Sequence, residues 1–230
     1  FLMPYQSRRF DSDFLTVQDV INNGYLGRLV DLEVHMDHYR PNDGKAKGTA
    51  IDGTLYDHGV HLVDQVVSLF GQPKSVAYDL RATRLLESMV EDHIALNLFY
   101  EKAFKANIGA TELATKAYPK WQIRGTKGTF VKYTVDEQEN DLKTGKLPGS
   151  DNFGLDAPQN YGQLVYYNQS GDRIEKYLPS ITGDYGRVYD SVYDTLVNGA
   201  PKLVSDEQML TVMKILSAGH FGQSPQLVTF

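Results

Sequence analysis

An aspartate and a histidine in the stretch GTLYDHGVH, residues 53–61, are the pair best suited to proton transfer in this sequence. Asp57 and His61 stand four positions apart, so on an α-helix they occupy the same face. An imidazole titrates near neutral pH, and a neighbouring carboxylate orients the ring and raises its basicity. The pair can therefore shuttle protons, and the carboxylate can also accept a hydrogen bond from a substrate hydroxyl.

Spacing alone leaves two alternatives open for this stretch. Asp57 can cap a helix while His61 forms a hydrogen bond within the fold, because motifs this short recur by chance. Together with Asp64, the pair can also offer oxygen and nitrogen ligands to a metal ion. No H-E-x-x-H or comparable signature accompanies these residues, so we predict no metal among the site's components.

The elements around the pair are a helix, a loop and a strand. The helical pattern LYDHGVHLVDQVVSLFG buries one side and ends at Gly71; that side consists of Leu62, Val63, Val66, Val67 and Phe70. Before it, GRLVDLEVHMDHY alternates apolar and polar residues, which predicts a strand with one buried face. The stretch between them, residues 39–53, is rich in Gly, Pro, Asn and Asp and is predicted to be a loop.

Further along the chain the hydrophobic period switches to two. Residues 75–85, 92–101 and 103–113 predict an antiparallel meander, and residues 120–133 predict another pair of short strands. Residues 163–168 and 173–179 predict a hairpin. Further helices are predicted over residues 10–24, 136–145, 185–199 and 205–219, the first with capping oxygens from Asp11, Ser12 and Asp13. The pattern predicts an α+β fold with a largely antiparallel open sheet and helices on one face. No linker divides the chain, so residues 1–230 are predicted to form a single domain.

Composition excludes several classes of function. The chain has 230 residues, 41% of them hydrophobic, and a formal charge of −6 without any long run of Lys or Arg. Neither nucleic acid nor an anionic membrane is therefore an expected partner. Cysteine is absent, which rules out disulfides and thiolate chemistry and fits a cytoplasmic protein. The chain begins FLMPYQSRRF without an initiator Met, so we expect it to be a piece of a longer protein.

Several stretches of the sequence, including the one that carries Asp57 and His61, resemble segments of a known enzyme family. In chain order they are YQSRRFDSDFLTVQDVINNGYLG, HYRP, GTLYDHGVHLVDQ, WQIRGTKGTFVKY, GDYGRVYDSVYDTLVNG and VSDEQMLTVMKIL. They resemble the C-terminal domain of the Gfo/Idh/MocA oxidoreductases, especially the branch similar to scyllo-inositol dehydrogenase. The likeness covers nearly the whole chain in order, so it is much more specific than the Asp57 and His61 pair alone.

The resemblance implies a reaction and its cofactor. In this family NAD or NADP sits in an N-terminal Rossmann domain, and hydride passes between it and a carbon of a polyol, sugar or related compound. A lysine of an E-K-P motif in that first domain works with an aspartate and a histidine of the second. By resemblance, His61 takes or gives the hydroxyl proton, and Asp57 holds the substrate hydroxyl and the imidazole.

The resemblance also assigns further residues to the site. Tyr39 and Arg40 match positions at a strand end that line the substrate pocket; their alternative role is to anchor that strand end. Arg8 and Arg9 match positions near the nicotinamide, and their alternative is a solvated charge pair. Tyr185 matches a tyrosine that approaches the cofactor, and its alternative is plain packing. A homodimer or homotetramer joined through the open sheet face is implied as well.

The chain departs from the family pattern in several places. No G-x-G-x-x-G follows a strand and no E-K-P is present, so the Rossmann domain is absent and the chain alone is expected to be inactive. Ser7 and Phe10 stand where the family usually has Asn and Trp. His220 is interpreted as a cation at a helix C-terminus.

The sequence thus predicts the substrate-binding and catalytic half of an NAD(P)-dependent oxidoreductase acting on the CH–OH groups of a sugar, inositol or related polyol. One alternative is a non-catalytic module for dimerisation or interaction. The other is a metal-dependent hydrolase.

Overall fold

A computed structural model describes residues 1–42 and 48–230. They divide into two compact units. The first comprises residues 1–29 and 121–206; the second comprises the described residues of 30–120 together with 207–230. The loop predicted over residues 39–53 therefore lies partly outside the described residues. The assignment of residues 1–230 to a single domain stays a prediction.

The elements follow the predicted order, with short differences at their ends. The α-helices are α1 (Ser12–Asn22), α2 (Val60–Phe70), α3 (Gln138–Lys143), α4 (Arg187–Asn198) and α5 (Asp206–Phe221). The strands are β1 (Leu29–Asp37), β2 (Ser75–Arg81), β3 (His93–Phe99), β4 (Lys105–Thr111), β5 (Trp121–Gly125), β6 (Gly128–Lys132), β7 (Gly162–Tyr167), β8 (Arg173–Leu178) and β9 (Gln226–Thr229). Most neighbouring strands run antiparallel, which confirms the α+β class. No helical segment within residues 1–42 or 48–230 combines the length and apolar character that a bilayer crossing requires.

The sheet of the second unit has one face covered by helices. Its strand order is β1-β4-β3-β2-β9, with β1 and β4 parallel and the remaining pairs antiparallel. Along β1 the buried residues alternate as predicted, with Leu32, Val34 and Met36 facing the core. On the same unit's buried face, the Tyr78 hydroxyl donates to the carbonyl oxygen of Ile215 in α5 at 3.0 Å. Helices on one face are therefore confirmed for this unit.

In the first unit, a four-stranded antiparallel arrangement packs on α1. The strand order is β8-β7-β6-β5, and the predicted hairpin corresponds to β7 and β8. Trp121, fully buried at the start of β5, stacks on Phe14 of α1 with ring centroids 5.9 Å apart. Its indole Nε1 donates to Asp13 Oδ2 at 2.5 Å, so the buried ring also has its polar atom satisfied.

The start of α1 is capped differently from the sequence expectation. Asp11 occupies the N-cap position, but its side chain makes no capping hydrogen bond. The backbone N–H of Ser12 instead donates to Asp136 Oδ2 at 2.7 Å, although Asp136 is distant in sequence. Tertiary packing thus supplies the acceptor that a local carboxylate was expected to supply.

Two features of the sheet were not predicted. The chain after α5 forms a further strand, β9, which pairs antiparallel with β2. β1 pairs in parallel with β4, with Val34 opposite Ile108. Two neighbouring parallel strands must be joined by a long crossover connection. Here the connection from β1 to β4 includes α2, β2 and β3.

Candidate active site

The segment that carries Asp57 and His61 is a π-helical turn, Leu55–Gly59, followed directly by α2. Glu91 holds its start, because the backbone N–H of Leu55 donates to Glu91 Oε1 at 2.9 Å. A Cβ at Gly53 would clash with the carboxylate of Glu91. The absence of a side chain at Gly53 therefore leaves room for the Glu91 carboxylate. π-helical turns of this kind are frequent at functional sites.

Asp57 and His61 are both accessible from solvent. The Asp57 side chain is 48% exposed and His61 is half-buried, so neither is sealed in the core. The opposite side of the helix is buried as predicted, at Leu62, Val63, Val66 and Val67, with Phe70 half-buried at the end. The segment thus presents a carboxylate and an imidazole outward from a packed helix. The catalytic pairing of these two residues stays a prediction.

On an α-helix His58 would point away from Asp57, and the structure shows otherwise. Its Nε2 lies 3.9 Å from Asp57 Oδ2. The expectation assumed the rotation of an α-helix between successive residues, about 100°. A turn with i→i+5 hydrogen bonds is wider, so neighbouring side chains are separated by a smaller angle.

His38, His58 and Glu112 converge to form what we call the histidine–glutamate cluster. His58 Nε2 lies 3.1 Å from Glu112 Oε1, and His38 Nδ1 lies 3.9 Å from the same oxygen. The two imidazole rings have centroids 4.8 Å apart. The three residues come from distant segments, so no contiguous motif could have revealed them. In the sequence, His38 and Glu112 each directly follow a strand, and His58 lies within the stretch GTLYDHGVH.

Charge in this cluster is set by burial and by its neighbours. Burial alone would raise the pKa of Glu112, but the hydrogen bond with His58 and the nearby charge of Arg40 hold that pKa below its usual value. Burial, followed by the charges of His58 and Arg40, lowers the pKa of His38. At neutral pH the cluster therefore holds a carboxylate and at least one neutral imidazole.

Arg40 and Tyr39 lie beside this cluster, at the end of β1. The Arg40 backbone N–H donates to the carbonyl oxygen of Glu112 at 2.8 Å, and Tyr39 forms an isolated bridge with Leu113. The Arg40 guanidinium Nη1 is 3.7 Å from Glu112 Oε2, while the Tyr39 ring is 57% exposed. Arg84 Nη1 donates to the Arg40 carbonyl oxygen at 2.9 Å. Both residues are held as strand-end anchors, and their side chains remain available to a ligand.

Arg8 and Tyr185 belong to the first unit, where they meet at Asp11. The Tyr185 hydroxyl donates to Asp11 Oδ1 at 2.8 Å, and Arg8 Nη1 is 3.5 Å from Asp11 Oδ2. Burial, with the Asp11 charge next, raises the pKa of Tyr185. Arg8 Nη2 also donates to Glu139 at 2.9 Å, and a hydrogen bond from Lys143, together with Arg8, lowers the pKa of Glu139 to about 2.

Arg9 is buried, with 7% of its surface exposed. Its Nη1 donates to the carbonyl oxygen of Leu203 at 2.6 Å. The alternative of a solvated charge pair at Arg8 and Arg9 is therefore wrong, because Arg9 lies inside the first unit and Arg8 is ion-paired.

The alternative metal site was expected at Asp57, His61 and Asp64. Asp64 is buried at 1% exposure, whereas Asp57 is largely exposed. Among the described residues, the group whose ligand atoms lie close enough to share an ion is the histidine–glutamate cluster. The ligand set on which the hydrolase alternative rested is thus not assembled in the described part of the chain.

His220 lies in the last turn of α5, as expected for a cation near a helix C-terminus. Its ring contacts Tyr56 edge-on, with centroids 5.3 Å apart, and packs against Phe221 at 4.5 Å. It contributes to packing beneath the π-helical turn.

Comparison with protein families gives one match over most of the chain. The family model described as "Oxidoreductase family, C-terminal alpha/beta domain", that of the Gfo/Idh/MocA proteins, matches residues 18–220. This range includes parts of both compact units.

Comparison with individual proteins agrees with the family match. The uncharacterized oxidoreductase YhhX of Escherichia coli is 42% identical over 226 residues, covering 98% of this chain and 64% of YhhX. The scyllo-inositol 2-dehydrogenase (NADP+) IolW of Bacillus subtilis is 35% identical over 221 residues, covering 94% of this chain and 61% of IolW. An oxidoreductase from Bacillus cereus has a similar crystal structure, with a TM-score of 0.96, 42% identity and coverage of 99% of this chain and 76% of that one. The chain spans less than two thirds of the length of the two curated relatives.

Proposed function

Because the chain belongs to the Gfo/Idh/MocA oxidoreductase family as its C-terminal domain, we propose that it is the substrate-binding and catalytic half of an NAD(P)-dependent oxidoreductase. The observation that carries the proposal is that the π-helical turn and the first turn of α2 present Asp57 and His61 to solvent, beside Arg40 and the histidine–glutamate cluster. An accessible carboxylate and imidazole are what proton transfer to a substrate hydroxyl requires.

His61 takes the proton of the substrate hydroxyl during oxidation and returns it during reduction. An imidazole suits this role because it titrates near the working pH. Asp57 accepts a hydrogen bond from the same hydroxyl and orients the imidazole. When bound, the nicotinamide of NAD or NADP carries the hydride.

The substrate is a sugar, an inositol or a related polyol in this proposal. The name of IolW, a scyllo-inositol 2-dehydrogenase, supports this class for a relative of 35% identity. Arg40 and Tyr39 contact the further hydroxyl groups, since one offers a charged donor and the other an exposed aromatic face at the same strand end.

The residues toward the cofactor come from the first unit. Arg8 and Tyr185 fit this role in part, because both are polar, incompletely buried and joined through Asp11. Arg9 acts by anchoring the segment, since its guanidinium is buried against Leu203. The main binding surface for NAD or NADP is proposed to lie outside this chain, which carries no G-x-G-x-x-G after a strand.

The protein is also proposed to act in the cytoplasm as a homodimer or homotetramer joined through the open sheet face. In the second unit this face carries half-buried residues such as Glu33, His35 and Asp37. These side chains give such an interface polar partners at its centre. The absence of cysteine supports the location.

The test uses the full-length protein with NAD and NADP against a panel of polyols and sugars. We expect His61→Ala to lower turnover by about 10²–10⁴-fold. His93→Ala is the matched control, because His93 is a half-buried histidine on β3 of the same unit and should leave turnover unchanged within about twofold. A loss at His61 smaller than tenfold would exclude the acid–base role.

A second outcome would favour the non-catalytic alternative. If no polyol or sugar is turned over with either cofactor, while the protein still forms a stable oligomer by light scattering, the chain acts as a dimerisation module. The isolated chain of residues 1–230 is expected to show no turnover in either case.

A further inference from the structure

Three potential metal ligands converge in the histidine–glutamate cluster from three separate segments. His38 follows β1, His58 lies in the π-helical turn, and Glu112 follows β4. The ligand atoms of the three lie within 4.8 Å of one another. The backbone holds this arrangement, because the His38 N–H donates to the carbonyl oxygen of Thr111 at 2.8 Å and the Ala114 N–H donates to that of His38 at 2.9 Å.

Two buried polar atoms of this cluster have no hydrogen-bond partner among the described residues. They are His38 Nδ1 and Glu112 Oε2, neither of which has a hydrogen bond. Glu112 itself is only 4% exposed. Buried polar atoms are almost always satisfied, and an orphan is often explained by a water or an ion. Both orphans here belong to residues that ligate metals.

The two distances from the imidazoles to Glu112 suit a small divalent ion. With bonds of about 2.0–2.1 Å, two ligands of a tetrahedral zinc site stand roughly 3.4 Å apart. The distances to Glu112 Oε1, 3.1 Å from His58 and 3.9 Å from His38, lie on either side of that value. Two imidazoles and one carboxylate form a ligand set used by zinc and other divalent transition metals.

Among the described residues, the charges that face the cluster besides Glu112 are the guanidinium of Arg40 and the carboxylates of Asp57 and Asp37, the last of which acts on His38. Arg40 Nη1 lies 3.7 Å from Glu112 Oε2 and opposes a metal ion, but its side chain is 40% exposed and can turn into solvent. Asp57 Oδ2 lies 3.9 Å from His58 Nε2 and favours a cation. The negative charges of Glu112 and Asp57 together outweigh the positive charge of the Arg40 guanidinium.

We propose that His38, His58 and Glu112 bind one divalent transition-metal ion, with Zn²⁺ as the best-fitting ion. The remaining coordination position faces the side of Asp57 and is filled by water or another oxygen ligand. The proposal differs from the absence of metal expected from the sequence, and it does not depend on the oxidoreductase activity.

The test measures metal binding directly in the full-length protein. After removal of metals with a chelator, incubation with Zn²⁺ and dialysis of the unbound ion, we expect one equivalent of Zn²⁺ per chain by elemental analysis; the metal-free protein should give visible absorption bands on titration with Co²⁺. His58→Ala and Glu112→Gln should each weaken Zn²⁺ binding by at least about 100-fold, which is the upper end of the losses seen when only a group hydrogen-bonded to a metal ligand is replaced. His93→Ala should bind Zn²⁺ like the wild type.

Circular dichroism of each variant shows whether it is folded, and Glu112→Gln, which keeps the side-chain shape, guards against loss of the fold. Wild-type protein without stoichiometric Zn²⁺ at micromolar free metal would overturn the proposal. So would equal weakening by His93→Ala, or unchanged binding in the double variant His58→Ala/Glu112→Gln, because the metal would then lie elsewhere.

Discussion

Replacing Asp92 by asparagine tests whether a buried ion pair holds the end of β1 in place. The Asp92 carboxylate accepts hydrogen bonds from the Thr83 N–H and hydroxyl at 2.6 Å, and from the Arg84 N–H and Nε at 2.9 Å. Arg84 in turn donates to the carbonyl oxygen of Arg40. Asp92 therefore supports, through Arg84, a residue that we assign to the substrate.

The expected cost follows from burial. The side chains of Arg84 and Asp92 are 4% and 1% exposed. In Asp92→Asn the amide oxygen can still accept from Thr83, but the amide nitrogen then faces two donors of Arg84. The guanidinium also loses its buried counter-charge. Removing one partner of a buried pair costs about 3–5 kcal/mol, so we expect a loss of this size in the free energy of unfolding.

Urea unfolding followed by circular dichroism measures this loss, with Asp79→Asn as the control. Asp79 pairs with Arg81 at 3.0 Å, but the two side chains are 42% and 55% exposed, so its loss should be below about 1 kcal/mol. An Asp92→Asn loss within 1 kcal/mol of the control would refute the reasoning, since burial would then not distinguish the two pairs.

The pH dependence gives a second check on Asp92. Burial alone would raise its pKa, but the hydrogen bonds from Thr83 and Arg84 hold it below the ordinary value near 3.8. Because the folded state has the lower pKa, the contribution is complete above about pH 5 and is lost as the pH falls through the folded value. The difference between wild type and Asp92→Asn should therefore shrink in acid, and growth of that difference would contradict the assignment.

Three further substitutions test packing and charge elsewhere. Lys132→Met should cost about 3–5 kcal/mol in urea unfolding, because the fully buried ammonium donates to Asp156 at 2.6 Å, and Lys132→Met/Asp156→Leu should recover more than half. Gly125→Ala would make its Cβ clash with the backbone carbonyl oxygen of Leu26, so we expect the free energy of unfolding to fall by about 1–3 kcal/mol and the Tm to drop by several degrees; an unchanged Tm would contradict this. Glu139→Gln should cost no more than about 1 kcal/mol at pH 7, because the side chain is 47% exposed. That difference should vanish as the pH falls from 4.5 to about 2, the lowered pKa of Glu139, and a difference persisting at pH 2 would contradict the pairing.

Local periodicity was enough to predict most of the elements. In β1 the alternation placed Leu32, Val34 and Met36 on the buried face, and in α2 the apolar stripe placed Leu62 and Val66 in the core. These assignments succeed because side-chain direction repeats every two residues in a strand and every 3.6 in a helix. They depend only on neighbours within one segment.

Features that depend on distant partners could not be predicted in this way. β9 exists because it pairs with β2, and nothing within residues 226–229 alone specifies that pairing. The cap of α1 was predicted from Asp11, yet that carboxylate accepts from Tyr185 while Asp136 takes the capping role. In both cases the local conformations open to the segment are similar in energy, and a contact with a residue distant in sequence determines which one forms.

The same distinction explains why the sequence indicated Asp57 and His61 but not the residues beside them. A pair four positions apart can be recognised within one helix, whereas the histidine–glutamate cluster depends on the parallel pairing of β1 and β4. Parallel strands end at the same edge of a sheet, so His38 and Arg40, which follow β1, come next to Glu112, which follows β4. Carboxyl ends of neighbouring parallel strands are also where ligands bind in open α/β sheets. The parallel pair of β1 and β4 therefore concentrates charged and ligating side chains at one edge, and the π-helical turn adds Asp57 and His58 to them.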